Sequence, residues 1–426
     1  TSSISGGGVW IPCNRYAMAE GAEDSLEQAK TYLRQLITEE EVPEYQLDAY
    51  LENGPKMVDF MHDRTRMRYV SLEHYPDYYT NLEGGKHGHR SMEPETFNAD
   101  ELGEEWRRLR RTHPMMHLGG VIGITQVEAA ELVGQQTGWW KTALKLFTDY
   151  VLDIRWRVKD KFHRRLATGC AGTARLRASM QDRDIPLWLN TAMTKVVDED
   201  GKVVGIEATR NGQPVRIQAR KAVVLAAGGF EHNQEMREKY LPKPTNSSWS
   251  AGTRDNTGDA ILEGMRLGAR MHRLDEAWWC NTISVPGEEI PRLSIMEKSY
   301  PASIVVKPAG QRFRNESQNY MAFQQETFQK HSQDKHCNPS WQVFDDSFRA
   351  TYFVGPVYNS MFRPYCIVPK SFDQEGFLAL ADTIRDLSAK IDVDADGLDK
   401  TVADMNRYAS EGFDPEYQRG ESAYDR

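Results

Sequence analysis

Residues 221–233 read KAVVLAAGGFEHN, and no other stretch restricts the fold so strongly. A run of small and β-branched apolar residues, 222–227, stands between a charge and a Gly-Gly pair, the pattern of a strand buried on both faces of a sheet. The run ends at Gly228-Gly229, where no Cβ separates the backbone from whatever lies above the strand end. Ligands of open α/β sheets sit beyond the carboxyl ends of the strands, so this glycine pair marks the place to look for one.

Short alternating strands are expected over 186–191, 194–198, 203–209 and 215–218, separated by Glu199-Asp200-Gly201-Lys202 and Arg210-Asn211-Gly212-Gln213. Asp-Gly and Asn-Gly are strong hairpin signals, so this region reads as a β-meander leading into the central strand. Here the chain resembles the two-dinucleotide-fold flavoproteins, in which such a meander returns into a buried strand ending near the flavin nucleotide. More narrowly, GKVVGI at 201–206 followed by VVLAAGGFEHN is similar to the fumarate reductase and 3-ketosteroid dehydrogenase superfamily. The resemblance implies FAD as cofactor and an α/β (α+β) fold. Its parts are a two-dinucleotide-binding-type FAD domain over 1–280, with the β-meander and a helical insertion at about 20–165, and a smaller α+β substrate (capping) domain over 281–426. It also implies that the first βαβ unit and the C-terminal return to the FAD domain are missing. The chain starts at Thr1, and no G-x-G-x-x-G follows a strand to hold a pyrophosphate.

At 426 residues the chain has the length for two or three domains and an ample core. Its net charge of −9 argues against a nucleic-acid groove, which needs clustered excess Lys and Arg. The local run Arg107, Arg108, Arg110, Arg111 follows Glu104-Glu105 and reads as a solvated helix face. Five widely spaced cysteines without a C-x-x-C fit reduced thiols and a cytoplasmic location. No apolar run approaches the ~20 residues of a bilayer span. A helical pattern over 139–158 has Trp139 and Trp140 at one end and carries Lys141, Lys145, Arg155 and Arg157. It suits a cap helix packed on its own domain, and it leaves peripheral membrane contact open.

Other segments carry local signals. Ser25 and Gln28 give a capping-box pattern for a helix with Leu26, Ala29, Leu33 and Leu36 on one face. A second helix over 43–51 is expected to stop at Asn53-Gly54 and restart after Pro55. His87, His89, His113 and His117 have ligand-like spacings but no cysteine or acid at a matching offset, so no metal site is expected. DVDADG at 392–397 imitates half of a calcium loop, has Ala403 where the bidentate Glu belongs, and reads as a capped turn before a helix starting at Leu398.

The start, TSSISGGGVWIP, is by composition a flexible end. It resembles a family segment whose backbone lies against the isoalloxazine, which implies Ser5, Gly6 and Gly7 as flavin contacts. Ala227, Gly228 and Gly229 at the strand end are further implied contacts, as are Asn256, Gly258 and Asp259 of N-T-G-D. Asp259 also reads as a plain helix cap, and Ala260 stands where the family has Gly. GCAGTARLRASM at 169–180 resembles the helix that flanks the nucleotide. Tyr75, Tyr78 and Tyr79, set around Asp77 and closed by Gly84-Gly85, are too polar for core and too aromatic for an ordinary loop. The resemblance places one of them in a steroid pocket, with Tyr78 preferred over Tyr75 and Tyr79.

Two segments separate members of the superfamily. Where fumarate reductases carry His-Pro-Thr for a substrate carboxylate, this chain has Cys280-Asn281-Thr282 after Trp278-Trp279, which suits a large apolar substrate. GQRFRNESQNY at 310–320 is similar to a segment that ends, in fumarate reductases, in a proton-donating arginine. Tyr320 stands there, as in 3-ketosteroid dehydrogenases, where the tyrosine is the base. Reducing a charged dicarboxylate suits a permanent cation, whereas removing a proton beside a ring ketone suits a neutral phenol whose pKa of about 10 is lowered by another donor. Tyr78 is implied as that second hydroxyl, and Tyr75, Tyr79, Trp278, Trp279 and Asn319 as substrate contacts. The resemblance therefore implies flavin-dependent 1,2-desaturation of an apolar 3-ketosteroid. Tyr320 takes the C2 proton, hydride passes from C1 to FAD, and a quinone-like acceptor reoxidises the flavin. Action at the 4,5 bond, action on another cyclic ketone, a flavin-free scaffold role, and homo-oligomerisation stay open.

Overall fold

In the computed structural model, residues 2–113, 116–334, 336–360 and 368–425 are described. The resemblance noted at Pro364, Tyr365 and Cys366 is outside them. Two compact units form: Thr1–Ile185 with Ser317–Asn319 and Gly412–Arg426, and Pro186–Glu316 with Tyr320–Glu411. The boundary expected near residue 280 falls inside the second unit.

In the first unit a small antiparallel sheet, ordered β1-β3-β2, is made of β1 (Val9–Trp10), β2 (Tyr69–Ser71) and β3 (Ser91–Pro94). Helix α1 (Leu26–Arg34) starts at Ser25, whose side chain accepts the Gln28 N–H at 3.1 Å. Helix α2 (Glu44–Arg64) does not stop at Asn53-Gly54 but runs through Pro55. Its buried residues Leu47, Leu51, Gly54 and Val58 form one stripe at helical spacing, and a Cβ on Gly54 would lie 3.2 Å from the Ile11 side chain. Burial of that unbroken stripe offsets the ~3 kcal/mol that an interior proline costs a helix.

Helix α3 (Trp139–Leu152) is shorter than the pattern over 139–158 predicts, because Asp153 leaves helical geometry and a short helix, Ile154–Arg157, restarts after it. The break lets Trp156 turn inward. Its indole N–H donates to the Phe162 carbonyl at 3.0 Å and its ring packs on Trp106 at 4.8 Å between centroids. The arginine run also differs from expectation: its 3₁₀ helix ends at Arg108, and Arg111 forms an ion pair with Asp160 rather than lying in solvent. Helix α4 (Thr168–Gln181) packs its small residues Ala171, Ala174 and Ala178 into the core of Phe97, Leu102, Trp106, Trp156 and Leu166.

In the second unit the expected meander forms as β4 (Thr191–Glu199), β5 (Lys202–Arg210) and β6 (Gln213–Gln218), in the order β6-β5-β4. Asp200-Gly201 and Asn211-Gly212 both take positive φ at the two turn positions (50° and 76°, 50° and 81°), the backbone that matches strand twist in a two-residue hairpin. Residues 186–190 are not a strand. Neither is 222–227, which is irregular and open to solvent, with Val224 86% accessible. A central strand exists only through the ladders on its flanks, and no described strand pairs with this run, so its apolar pattern finds neither hydrogen bonds nor cover. Helix α5 (Asp259–Arg266) has Gly258, not Asp259, as its N-cap. Strands β7 (Ser303–Val306) and β8 (Trp341–Phe344), antiparallel, flank helix α6 (Tyr320–Asp334) in sequence. Helices α7 (Ile384–Ile391) and α8 (Ala395–Glu411) bury Ile391 and Leu398 against Ile304 and Val306. α8 begins at Ala395, earlier than the expected Leu398, where Asp394 Oδ1 accepts the Gly397 N–H at 2.6 Å.

Candidate active site

In the second unit Tyr320 opens α6, is 7% accessible, and its phenol oxygen accepts a hydrogen bond from Trp278 Nε1 at 2.9 Å. Trp278 is otherwise exposed. Trp279 turns the other way, into a core with Phe230, Met236 and Leu241, and its indole N–H is held by Glu276 at 2.9 Å. The backbone leading to Tyr320 is pinned by Glu316, which is fully buried. Its carboxylate accepts from Arg312 Nε and Nη2 at 2.8 and 2.7 Å and from the Val305 N–H at 3.1 Å. Its carbonyl accepts from Lys298 Nζ at 2.8 Å. Arg314 bonds to the Phe323 carbonyl and pairs with Glu326, both on the first turns of α6. Nearby, burial pushes the Cys280 thiol up to about 12 and the Glu297 carboxyl up to about 7. Glu297 Oε1 has no hydrogen-bond partner among the described residues.

Two glycine segments that the sequence offers separately meet in this unit. Gly228 has φ +84°, and a Cβ there would lie 2.4 Å from Asn256 Oδ1. A Cβ on Gly229 would lie 2.8 Å from Glu231 Oε2, while Asn256 Nδ2 donates to Glu231 Oε1 at 2.5 Å. The Gly258 N–H donates to the Gly229 carbonyl at 3.0 Å, and Asp259 accepts from Thr257 Oγ1 at 2.8 Å. Ala227, Gly228 and Gly229 thus form one backbone cradle with Asn256 and Gly258. A cofactor that must lie against bare main chain fits such a cradle, because side chains there would block its approach.

In the first unit the Ser5–Gly7 turn rests on the start of α4. The Gly7 N–H donates to Ser5 Oγ at 3.1 Å, the Gly169 N–H donates to the Ser5 carbonyl at 3.1 Å, and Gln126 Nε2 donates to the Gly6 carbonyl at 3.1 Å. Gly7 has φ +72°, and a Cβ there would lie 2.6 Å from the Gly169 nitrogen. The tyrosine loop is organised around buried Asp77. Its carboxylate accepts from Trp10 Nε1 at 2.7 Å, the Lys86 N–H at 2.9 Å and Arg90 Nη1 at 2.8 Å. Arg90 turns its other edge to Asp24, at 2.7 Å. The Tyr75 N–H donates to the Leu72 carbonyl at 3.2 Å and the Tyr79 N–H to Tyr32 Oη at 3.3 Å. Tyr78 meets Tyr424 edge-on at 5.4 Å, and its carbonyl accepts from Asn319 Nδ2 at 3.5 Å.

The sequence of the FAD binding domain family matches residues 1–426. The chain belongs to the FAD-binding flavoprotein family. Among relatives of this flavoprotein, the 3-oxosteroid 1-dehydrogenase of Mycobacterium tuberculosis is 35% identical over 100% of the chain and 75% of its own length. The 4-oxocyclohexanecarboxylate 2-dehydrogenase of Sinomonas cyclohexanicum is 30% identical over 100% and 70%. The crystal structure of the 3-ketosteroid delta1-dehydrogenase from Sterolibacterium denitrificans, in complex with 1,4-androstadiene-3,17-dione, superposes with a TM-score of 0.93 at 38% identity, covering 100% of this chain and 75% of that one. Family membership removes the ground for a flavin-free reading.

Sequence reasoning passed over the supports of this flavoprotein's tyrosines. Lys298 and Glu316 fix the approach to Tyr320, and Asp24 and Arg90 fix the loop through Asp77. A charge set amid apolar or aromatic neighbours, as Asp77 is, was the available signal, since such a residue goes inside only when paired. Among the described residues no group of three His, Cys, Asp or Glu is placed to hold a metal ion, and no helix is long and apolar enough to cross a membrane.

Proposed function

We propose that this flavoprotein desaturates the C1–C2 bond of 3-ketosteroids. The carrying observation is the Tyr320 phenol, buried at the start of α6 with the Trp278 N–H directed at its oxygen. A donor to the phenol oxygen favours the phenolate over the phenol, and the amide groups of a helix start favour negative charge, so both support a tyrosine base. Tyr320 takes the proton from C2, where the 3-ketone acidifies it, and the electron pair left behind becomes the new C1–C2 π bond. FAD, when bound, supplies the hydride acceptor for C1. Ser5, Gly6, Gly7, Ala227, Gly228, Gly229, Asn256, Gly258 and Asp259 would hold it, over a 1–280 FAD-binding region. Tyr78 is the second hydroxyl, and Tyr75, Tyr79, Asn319, Trp278 and Trp279 are the substrate contacts of this reading. A quinone-like acceptor reoxidises the flavin.

The test is an anaerobic titration of the purified protein with a 4-ene-3-ketosteroid, following the flavin band. Bleaching in the parent protein, and turnover about a thousandfold lower in Tyr320→Phe at equal flavin content, are the expected results. A band that stays unbleached would overturn the substrate. The Sinomonas relative, named for a monocyclic oxo-acid, motivates a second reading as a dehydrogenase of a smaller cyclic ketone. Bleaching by 4-oxocyclohexanecarboxylate but not by steroid would select it.

A further inference from the structure

Helix α3 is amphipathic in the opposite sense to a helix packed on a core. Trp140, Leu144, Phe147 and Val151 recur at the spacing of a buried stripe, yet all four face solvent, with Leu144 and Phe147 each 58% accessible. The buried residue is Leu146, on the other side. Beyond the break at Asp153 the exposed apolar surface continues through Ile154 and Val158. Lys141 and Lys145 border the stripe, and the Lys141 ammonium sits over the Trp140 ring at 5.7 Å. Residues 139–165 hold eight Lys and Arg against three Asp, in a chain of net charge −9.

This surface differs in kind from the exposed run at 222–227. There the main chain itself has no ladder. In α3 the backbone is satisfied within the helix, and only the side chains lack cover. A second copy of the chain is a poor cover, because a twofold contact would set Lys141, Lys145 and Arg155 against their own equivalents. An anionic lipid surface offers what the face asks for: an apolar layer for the stripe, headgroup charge for the basic rim, and an interface at which tryptophan sits well. We propose that the α3 face docks this protein on an anionic membrane surface, with Trp140, Leu144, Phe147 and Val151 inserted and Lys141, Lys145 and Arg155 on the headgroups. The assignment stands apart from the choice of substrate.

The test is co-sedimentation of the purified protein with vesicles of phosphatidylcholine and phosphatidylglycerol, and with vesicles of phosphatidylcholine alone. Binding roughly tenfold tighter to the anionic vesicles, weakened by high salt and accompanied by a blue shift of tryptophan emission, is expected. L144E/F147E lowers binding about tenfold or more, and K141E/K145E removes the preference for anionic lipid. All four side chains are exposed, so both variants keep the parent's thermal unfolding curve. Absence of parental binding, equal binding by L144E/F147E, or a concentration-dependent dimer that L144E/F147E dissociates without any vesicle binding would each overturn the proposal.

Discussion

Tyr320 and the tyrosine loop around Asp77 are each steadied by a buried arginine and carboxylate, but the two clusters draw on opposite parts of the chain. Arg312 and Glu316 are four residues apart and lie just before the phenol they support. Asp24, Asp77 and Arg90 come from three distant segments, and Arg90 is shared between two acids. The local pair has no understudy: without Glu316, Arg312 is left as a buried cation. In the distributed cluster, loss of Asp77 still leaves Arg90 with Asp24. The first arrangement is rigid and brittle, the second tolerant.

The sharpest way to break this contrast is to remove one acid from each. Glu316→Ala should cost roughly 3–5 kcal/mol in denaturant unfolding, the range for stripping one partner from a buried pair. Asp77→Ala should cost about half as much; equal losses would mean the sharing of Arg90 carries no weight. Glu297 probes the electrostatics of the brittle side, since the next residue, Lys298, bonds to the Glu316 carbonyl. Its folded pKa, about 7, lies above the 4.5 of the free carboxyl. The native state therefore holds the proton more tightly, and the stability this gives is full below pH 4.5 and lost as pH rises through 7. Glu297→Gln should thus gain on the parent by about 3 kcal/mol between pH 4.5 and 8 in paired unfolding curves. A pH-independent difference would remove Glu297 from the balance. The smallest effect is expected of Trp278→Phe. Losing the N–H to Tyr320 should shift the basic limb of the pH–rate profile up by about one unit and lower turnover near neutrality about tenfold, with flavin content unchanged. An unmoved limb would leave the indole as a packing residue only.

The same division explains what the sequence made legible. Asp200-Gly201 and Asn211-Gly212 dictate their turns through two adjacent φ angles, and Ser25 caps α1 three residues away, so both were readable. The position of Tyr320 after R-F-R-N-E was readable too, because its support is local. Pro55 misled because the buried stripe of α2 outweighs it, and residues 139–158 misled because Trp156 gains more by turning inward than by extending a helix. Residues 222–227 show the limit of periodicity, which reports that a segment wants burial and says nothing of which strands will supply it. Asp77 was visible as an odd charge among tyrosines, but its partners Asp24 and Arg90 were not, since nothing in local spacing links them.

The two tight turns of the β4–β6 meander also bear on the order of events during folding. Each closes a loop of two residues, so the three strands can pair on the microsecond scale of isolated hairpins, with little loop entropy to overcome. Residues 222–230, which leave β6 immediately in the chain, need partners from afar and must form later. The meander is thus the nucleation template of its unit, and the glycine cradle that follows it matures last, when the slower long-range pairing is complete.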